Sequence, residues 1–222
     1  MKNRFKGKTI LVTGGAGSIG KEIVKALLKR NPKKIVVFDI DDIELFLMKR
    51  NLRSNILEFV VGDVRDYYSL QKIFSRFKID IIYHAAAMKH VIMCEESPIE
   101  TVKTNVFGTQ NLVDLAVKYK VPKMITVSTD KAADPSNVMG ATKFIAERIT
   151  LNGNRLSNKK SIFSCVRFGN VANSTGSVIP VFIDNLMKGK ELLVTDPKIT
   201  RFIMKISDAV NLISVSYTHL RA

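Results

Sequence analysis

The residues best equipped for chemistry stand together in VSTDKAADPSNVMGATK, residues 127–143. An apolar run ends there in Thr129, Asp130 and Lys131, a hydroxyl, a carboxyl and an amine in succession, and Met139 stands four residues before Lys143. A carboxyl beside an amine can act as proton donor and acceptor if the surroundings keep each neutral. The same residues also suit a turn closed by a solvated charge pair, with the methionine in the core. A thioether takes up no proton in water, so Met139 is not a general base.

A second chemical stretch is TGGAGSIG, in which Gly15, Gly17 and Gly20 fit G-x-G-x-x-G, and Gly14, Gly17 and Gly20 fit T-G-x-x-G-x-x-G. Residues without Cβ permit a tight turn and let a pyrophosphate approach the N-terminus of a helix, where free N–H groups favour negative charge. Gly14, Gly17, Ser18, Ile19 and Gly20 are therefore candidates for holding a dinucleotide. Asp39 follows Gly20 by 19 residues, at the end of the next apolar run. It can accept hydrogen bonds from both hydroxyls of a ribose and would repel a 2′-phosphate, which favours NAD over NADP. The DIDD run also offers its carboxylates, Asp41 or Asp42 among them, as helix caps. GDVRD offers Asp63, with Val64 beside it, to an adenine, or as a turn-forming residue.

These residues need elements to carry them. The apolar runs TILVT, KIVVFDI, ILEFVVGD, IDIIYHAAA, KMITVS and IFSCVRFGN alternate with segments of helical period. That alternation predicts a Rossmann-like doubly wound parallel sheet. In the first helix Ile19, Ile23, Val24 and Leu27 share a face, Lys25, Lys29 and Arg30 lie outside it, and Asn31-Pro32 stops it. SPIETVKTNVFGTQNLVDLAVKYK predicts a longer helix of the same kind. Thr129, Asp130 and Lys131 then emerge at the carboxyl end of strand five, the edge where open α/β sheets present ligands. Ala85 and Ala86 end strand four at the same edge.

The chain has 222 residues, 46% of them hydrophobic and 25% charged, enough for one globular domain. No apolar run reaches the roughly 20 residues of a bilayer span, and the lead-in MKNRFKGK is no signal peptide, so a cytoplasmic protein is expected. The formal charge of +15 is spread over single and paired lysines with no aromatic RNA-binding signature, which reads as a solvated surface and no nucleic-acid partner. Cys94 and Cys165 read as structural thiols, and no metal-ligand pattern is present.

TGGAGSIG, GDVRD, HAAAMKH, TNVFGTQNL, STDKA, GATK, RFGNV and TRF occur in an order that resembles the extended short-chain dehydrogenase/reductase superfamily. HAAAMKHV, STDKAADPSNVMGATK and FGNVANSTGSVIP resemble its polysaccharide-biosynthesis branch of nucleotide-sugar 4,6-dehydratases, in the subgroup with Met in place of Tyr. The superfamily usually places a Tyr four residues before its Lys, where Met139 stands here. The resemblance implies that Lys143 holds the nicotinamide ribose and that the chemistry passes to Thr129, Asp130 and Lys131.

Removing water across carbons 5 and 6 of a hexose needs a ketone at carbon 4, which NAD makes by accepting hydride, and then one base and one acid. Neutral Lys131 would take the carbon 5 proton, protonated Asp130 would serve the departing hydroxyl, and Thr129 would bind the 4-hydroxyl. Burial must then raise the pKa of Asp130 and lower that of Lys131, against their mutual attraction.

The resemblance further implies that Lys89 and His90 contact the sugar or its phosphates, with a surface lysine as the alternative, and that Asn105 supports the cofactor side from a helix. Asn170, Ser177 and Arg201 become candidates for the diphosphate and nucleotide. A UDP-linked N-acetylhexosamine as substrate and a homo-oligomer are expected. A UDP-sugar 4-epimerase and a non-catalytic NAD-binding regulator are the alternatives. Asn173 and Thr175 depart from the family pattern. The match stops near Ile213, so 1–213 reads as the NAD-binding domain with the start of a substrate region, its C-terminal substrate domain largely missing. SVSYTHLRA, residues 214–222, carries neither helical nor strand period and reads as a non-native tail.

Overall fold

The computed structural model describes residues 4–172, 178–192, 194, 196, 198 and 200–219, with side chains described through Ile213. Six strands form a parallel sheet: Thr9–Thr13 (β1), Lys34–Asp39 (β2), Leu57–Val61 (β3), Ile81–His84 (β4), Lys123–Thr129 (β5) and Ile162–Phe168 (β6). Their order is β3-β2-β1-β4-β5-β6. The order reverses between β1 and β4, so a crevice opens there at the carboxyl edge. This is the doubly wound sheet expected from the alternation.

Helices Ser18–Leu28 (α1), Asp42–Leu52 (α2) and Tyr67–Arg76 (α3) connect the first strands. Alternate residues of each strand point to opposite faces. Ile10, Val12, Ile35 and Val37 accordingly meet Ile23, Val24 and Leu27 of α1, while Leu11, Val36 and Phe38 meet Leu70, Ile73 and Phe74 of α3. Asn31 ends the first connection in a left-handed conformation, φ 48°, before Pro32. Asp41 caps α2 by accepting from the Glu44 N–H, and Asp66 caps α3 by accepting from Tyr68 and Ser69.

The long helix expected over 97–120 is interrupted. Val91–Glu96 (α4) and Pro98–Val102 (α5) lead into a π turn, Lys103–Phe107, before Gly108–Lys118 (α6). Such turns widen a helix by one residue and turn a side chain inward; here that side chain is Asn105, 1% exposed. After β5 a 3₁₀ turn, Asp130–Ala132, precedes Val138–Leu156 (α7). Asn137 caps α7 through the Gly140 N–H.

Beyond β6, Asn170–Val171 (β7) pairs with Ile203–Met204 (β8), and Val178–Met187 (α8) and Ile206–His219 (α9) follow. Ala209, Val210 and Ile213 of α9 complete the core beside α1. The segment after Ile213, in which no period is legible, continues this helix to His219. Among the described residues no helix is long and apolar enough to cross a membrane.

Candidate active site

Gly14 leaves β1 with φ 65°, and a Cβ there would lie 2.4 Å from the Ala86 nitrogen, so only glycine lets the two loops pack backbone against backbone. The next turn opens α1 at Gly17 with no side-chain cap and no acid in its first turn. A cavity of about 630 Å³ lies against this helix start, where the dipole favours negative charge. Gly14, Gly17, Ser18, Ile19 and Gly20 border this cavity, as expected. Asp39, Asp63, Val64, Ala85 and Ala86 complete its walls.

Asp39 does not cap a helix. One oxygen accepts from the Ala16 N–H at 2.8 Å and the other from the Asp41 N–H at 3.1 Å, which binds the glycine loop to the end of β2. Asp63 accepts from the Arg65 backbone at 2.9 Å and from its guanidinium at 2.6 Å. Burial pushes the Asp63 pKa up, but the hydrogen bonds and charge of Arg65 outweigh it and hold the group below the usual carboxylate range. Asn111 fixes this loop by donating to the carbonyls of Val64 and Arg65. An uncapped helix terminus, a cradle without side chains and a carboxylate at the far wall fit a dinucleotide.

A second cavity of about 420 Å³ adjoins the first and shares Ile19, Ala85, Ala87, Met88, Lys89 and His90 with it. Thr129, Lys131, Met139 and Lys143 line it, with Asn170 and Arg201 on the far side. Burial pushes the Lys89 ammonium below its usual pKa. Ser177 lies outside the described residues, as do Asn173 and Thr175. Among the described residues no tyrosine lines either cavity.

Asp130 stands behind this wall rather than on it. Its Oδ1 accepts from the Thr129 hydroxyl at 2.8 Å, the Lys131 N–H at 2.9 Å and Lys131 Nζ at 3.1 Å. Burial raises its pKa, yet the hydrogen bonds from Thr129 and Lys131 and the lysine charge lower it further, and the net result lies below the usual carboxylate range. The requirement that burial keep Asp130 protonated is therefore not met in this state; attraction wins because the pair is only half-buried. Lys131 Nζ also donates to Asn170 Oδ1 at 3.2 Å, so Asn170 reaches the ion pair from the far side of the cavity.

Lys143 is 7% exposed and donates to the Val127 carbonyl at 2.5 Å. Burial lowers its pKa to about 8, while Cys165 and Glu147 pull it back up. Glu147 lies one helical turn beyond it and receives two parallel hydrogen bonds from Arg167, at 2.8 and 2.7 Å. Burial raises the Glu147 pKa, but Arg167 foremost brings it below its usual value.

Asn105 does not border the dinucleotide cavity. It accepts from the Met88 N–H at 2.8 Å, and its amide donates to the Met88 carbonyl at 3.0 Å and Thr142 at 3.1 Å. It thus fixes the loop that both cavities share. His84 connects this point to β1: Thr109 donates to the Asn105 carbonyl, so it accepts from His84 Nε2–H, leaving Nδ1 to accept from Thr13 at 2.7 Å. Full burial lowers the His84 pKa to about 3, with Lys143 adding repulsion, so this linking ring is neutral.

Sequence reasoning missed four residues. Gly140 is required because a Cβ would lie 2.5 Å from the Lys131 carbonyl. The spacing of Lys143 and Glu147 places both on one helix face, a signal that was available. Arg65 and His84 had no local signal, since their partners are set by the fold.

The family described as polysaccharide biosynthesis protein matches residues 10–222. A protein of Methanocaldococcus jannaschii described as an uncharacterized membrane protein is 52% identical over 214 residues, covering 96% of this chain and 64% of that one. The UDP-N-acetylglucosamine 4,6-dehydratase (inverting) of Campylobacter jejuni is 40% identical, covering 97% and 65%. A UDP-glucose 4-epimerase of Rickettsia canadensis is 39% identical, covering 98% and 64%. The chain thus spans less than two thirds of these relatives' length. Among solved structures it is similar to the dTDP-glucose 4,6-dehydratase DesIV of Streptomyces venezuelae with NAD and TYD bound, at 26% identity, TM-score 0.87, and coverage of 96% and 73%.

Proposed function

The chain belongs to the polysaccharide-biosynthesis family of the extended short-chain dehydrogenases/reductases, and from that premise we propose that it takes part in the NAD-dependent 4,6-dehydration of a UDP-linked N-acetylhexosamine, UDP-N-acetylglucosamine foremost. One observation carries the reading: a hydrogen-bonded Thr129–Asp130–Lys131 cluster meets the cavity beside the dinucleotide cradle, where the fourth residue before Lys143 is a thioether.

Gly14, Gly17 and Gly20 hold the pyrophosphate at the start of α1, Asp39 the adenosine ribose, and Lys143 the nicotinamide ribose. Bound NAD supplies oxidation at carbon 4 and reduction at carbon 6. The chain itself must move two protons off the sugar, from the 4-hydroxyl and from carbon 5, and return two, one to the oxygen leaving carbon 6 and one to carbon 5 as carbon 6 is reduced. An ion pair and a neutral acid–base pair differ by one proton shifted along the Lys131–Asp130 hydrogen bond. Forming the neutral pair therefore draws no proton from solvent. A substrate that covers the pair and displaces water weakens the charged form relative to the neutral one. Lys131 then takes the carbon 5 proton and later returns it there, while Asp130, reached between Thr129 and Lys131 from behind the wall, protonates the leaving hydroxyl. Thr129 donates to Asp130 and accepts from the Lys131 N–H, which leaves one lone pair for the 4-hydroxyl.

An epimerase would use the same cradle, and relatives of that description share 39% identity. It needs no elimination, however, and its usual phenol is replaced here by Met139. Mass spectrometry of UDP-N-acetylglucosamine incubated with the protein and NAD distinguishes the two. Loss of one water supports the dehydratase. An isomer of unchanged mass supports the epimerase, and unchanged substrate rejects both for this chain.

A further inference from the structure

We propose that the edge of the main sheet opposite the two cavities is a docking face for an anionic lipid surface. In sequence the basic residues are dispersed. The parallel topology gathers them, because all six strands begin at one edge: Thr9 pairs with Lys34, Ile81 with Lys123 and Lys123 with Ile162. Each connection entering a strand there brings a cation: Lys6 before β1, Lys33 before β2, Arg53 before β3, Lys78 before β4, Lys120 before β5, and Lys159 with Lys160 before β6. All of these are exposed.

Carboxylates do not offset them. Among the described residues, the connections 4–8, 29–33, 53–56, 77–80, 119–122 and 157–161 contain one acid, Asp80, which is occupied by Lys8 and the Thr9 N–H. Glu58, just inside β3, is shared by Lys34 and Arg76. The opposite edge carries Asp39, Asp63, Asp66 and Asp130 together with Arg65, Lys89 and Lys131, so acids and cations alternate there, whereas the entry connections are almost purely basic. Helix C-termini also end on the basic edge and favour cations in their last turns. That effect does not reach Lys6, Lys33, Lys159 and Lys160, which lie beyond those turns.

The form of the edge selects the partner. Among the described residues, the strand-entry connections of this edge are short turns, with no helix or ribbon of their own to enter a nucleic-acid groove. The rings present are engaged, Phe77 beneath Lys34 and Arg76, and Tyr119 against Phe74, so none is a platform for a base. Several exposed cations along one sheet edge suit a sheet of anionic headgroups, which attracts charge without demanding directed contacts. Docked by this edge, the protein keeps both cavities turned away from the surface.

The test is co-sedimentation with vesicles of phosphatidylcholine, with and without phosphatidylglycerol, at low and high salt. Duplex DNA is titrated in parallel, and the quadruple variant K6E/K33E/K159E/K160E is compared. The expected result is binding only to the anionic vesicles, lost toward about 0.5 M salt, and weakened by about a hundredfold or more in the variant, whose NAD binding is unchanged. Absence of binding to anionic vesicles at low salt, or equal binding by the variant, overturns the proposal. Tighter binding to DNA than to vesicles at the same salt also overturns it and assigns the edge to nucleic acid.

Discussion

Lys131 Nζ lies 3.1 Å from Asp130 Oδ1, so the two groups assigned to the elimination already share the hydrogen bond along which a proton would pass. Replacing Asp130 by Asn removes the acid without removing its volume. Dehydration is expected to fall by about 10²–10⁴-fold, with NAD affinity unchanged; a D130N variant of full activity would remove Asp130 from the mechanism. Because the lysine and its neighbours hold Asp130 below the usual carboxylate range, the rate should be flat with acidification to about pH 5. A limb near neutrality would mean that Asp130 rests protonated.

Lys143 links burial to pH-dependent stability. Its pKa falls from 10.5 to about 8 on folding. Below about pH 8 the folded chain bears the full cost of the buried charge, roughly 3 kcal/mol. Between about 8 and 10.5 the folded chain loses its proton before the unfolded chain does, so stability rises with pH across that window. Urea unfolding of the wild type and K143M should show the wild type gaining on the variant as pH rises through it. A constant difference would indicate an unperturbed lysine.

Glu147 acts through Lys143. Its charge lies one helical turn away and favours the protonated lysine. E147Q should therefore move the alkaline loss of NAD affinity to a midpoint below about 8, the value with Glu147 in place. Loss of stability with the midpoint unmoved would show that the glutamate serves only Arg167.

Gly140 positions the catalytic turn. A Cβ would lie 2.5 Å from the Lys131 carbonyl, which belongs to backbone and must shift. G140A should lower the dehydration rate by about 100-fold with a much smaller loss of NAD affinity, since Lys143 alone among the assigned cofactor contacts lies on this helix, α7. Equal rates would show that the turn yields without cost.

Asn105 holds both backbone groups of Met88. N105A leaves them without these partners and should lower stability by about 2–4 kcal/mol, read as the shift in a thermal unfolding curve. Unchanged melting would mean that the shared loop is held by other contacts.

Much of this protein was determined by the sequence itself. Strand alternation, the face shared by Ile23, Val24 and Leu27, and the glycine spacing before α1 express local periods and local backbone freedom, which operate wherever the segment goes. The cradle residues and Asp39 are legible for the same reason. The π turn at Asn105 was not, because the period on either side of it is helical and one extra residue leaves no compositional mark. The tertiary structure alone decided the ionisation of Asp130, the grip of Arg167 on Glu147 and the gathering of dispersed lysines onto one edge. Each depends on which distant groups meet, and the strength of a charge interaction follows distance and burial, neither of which a linear order contains.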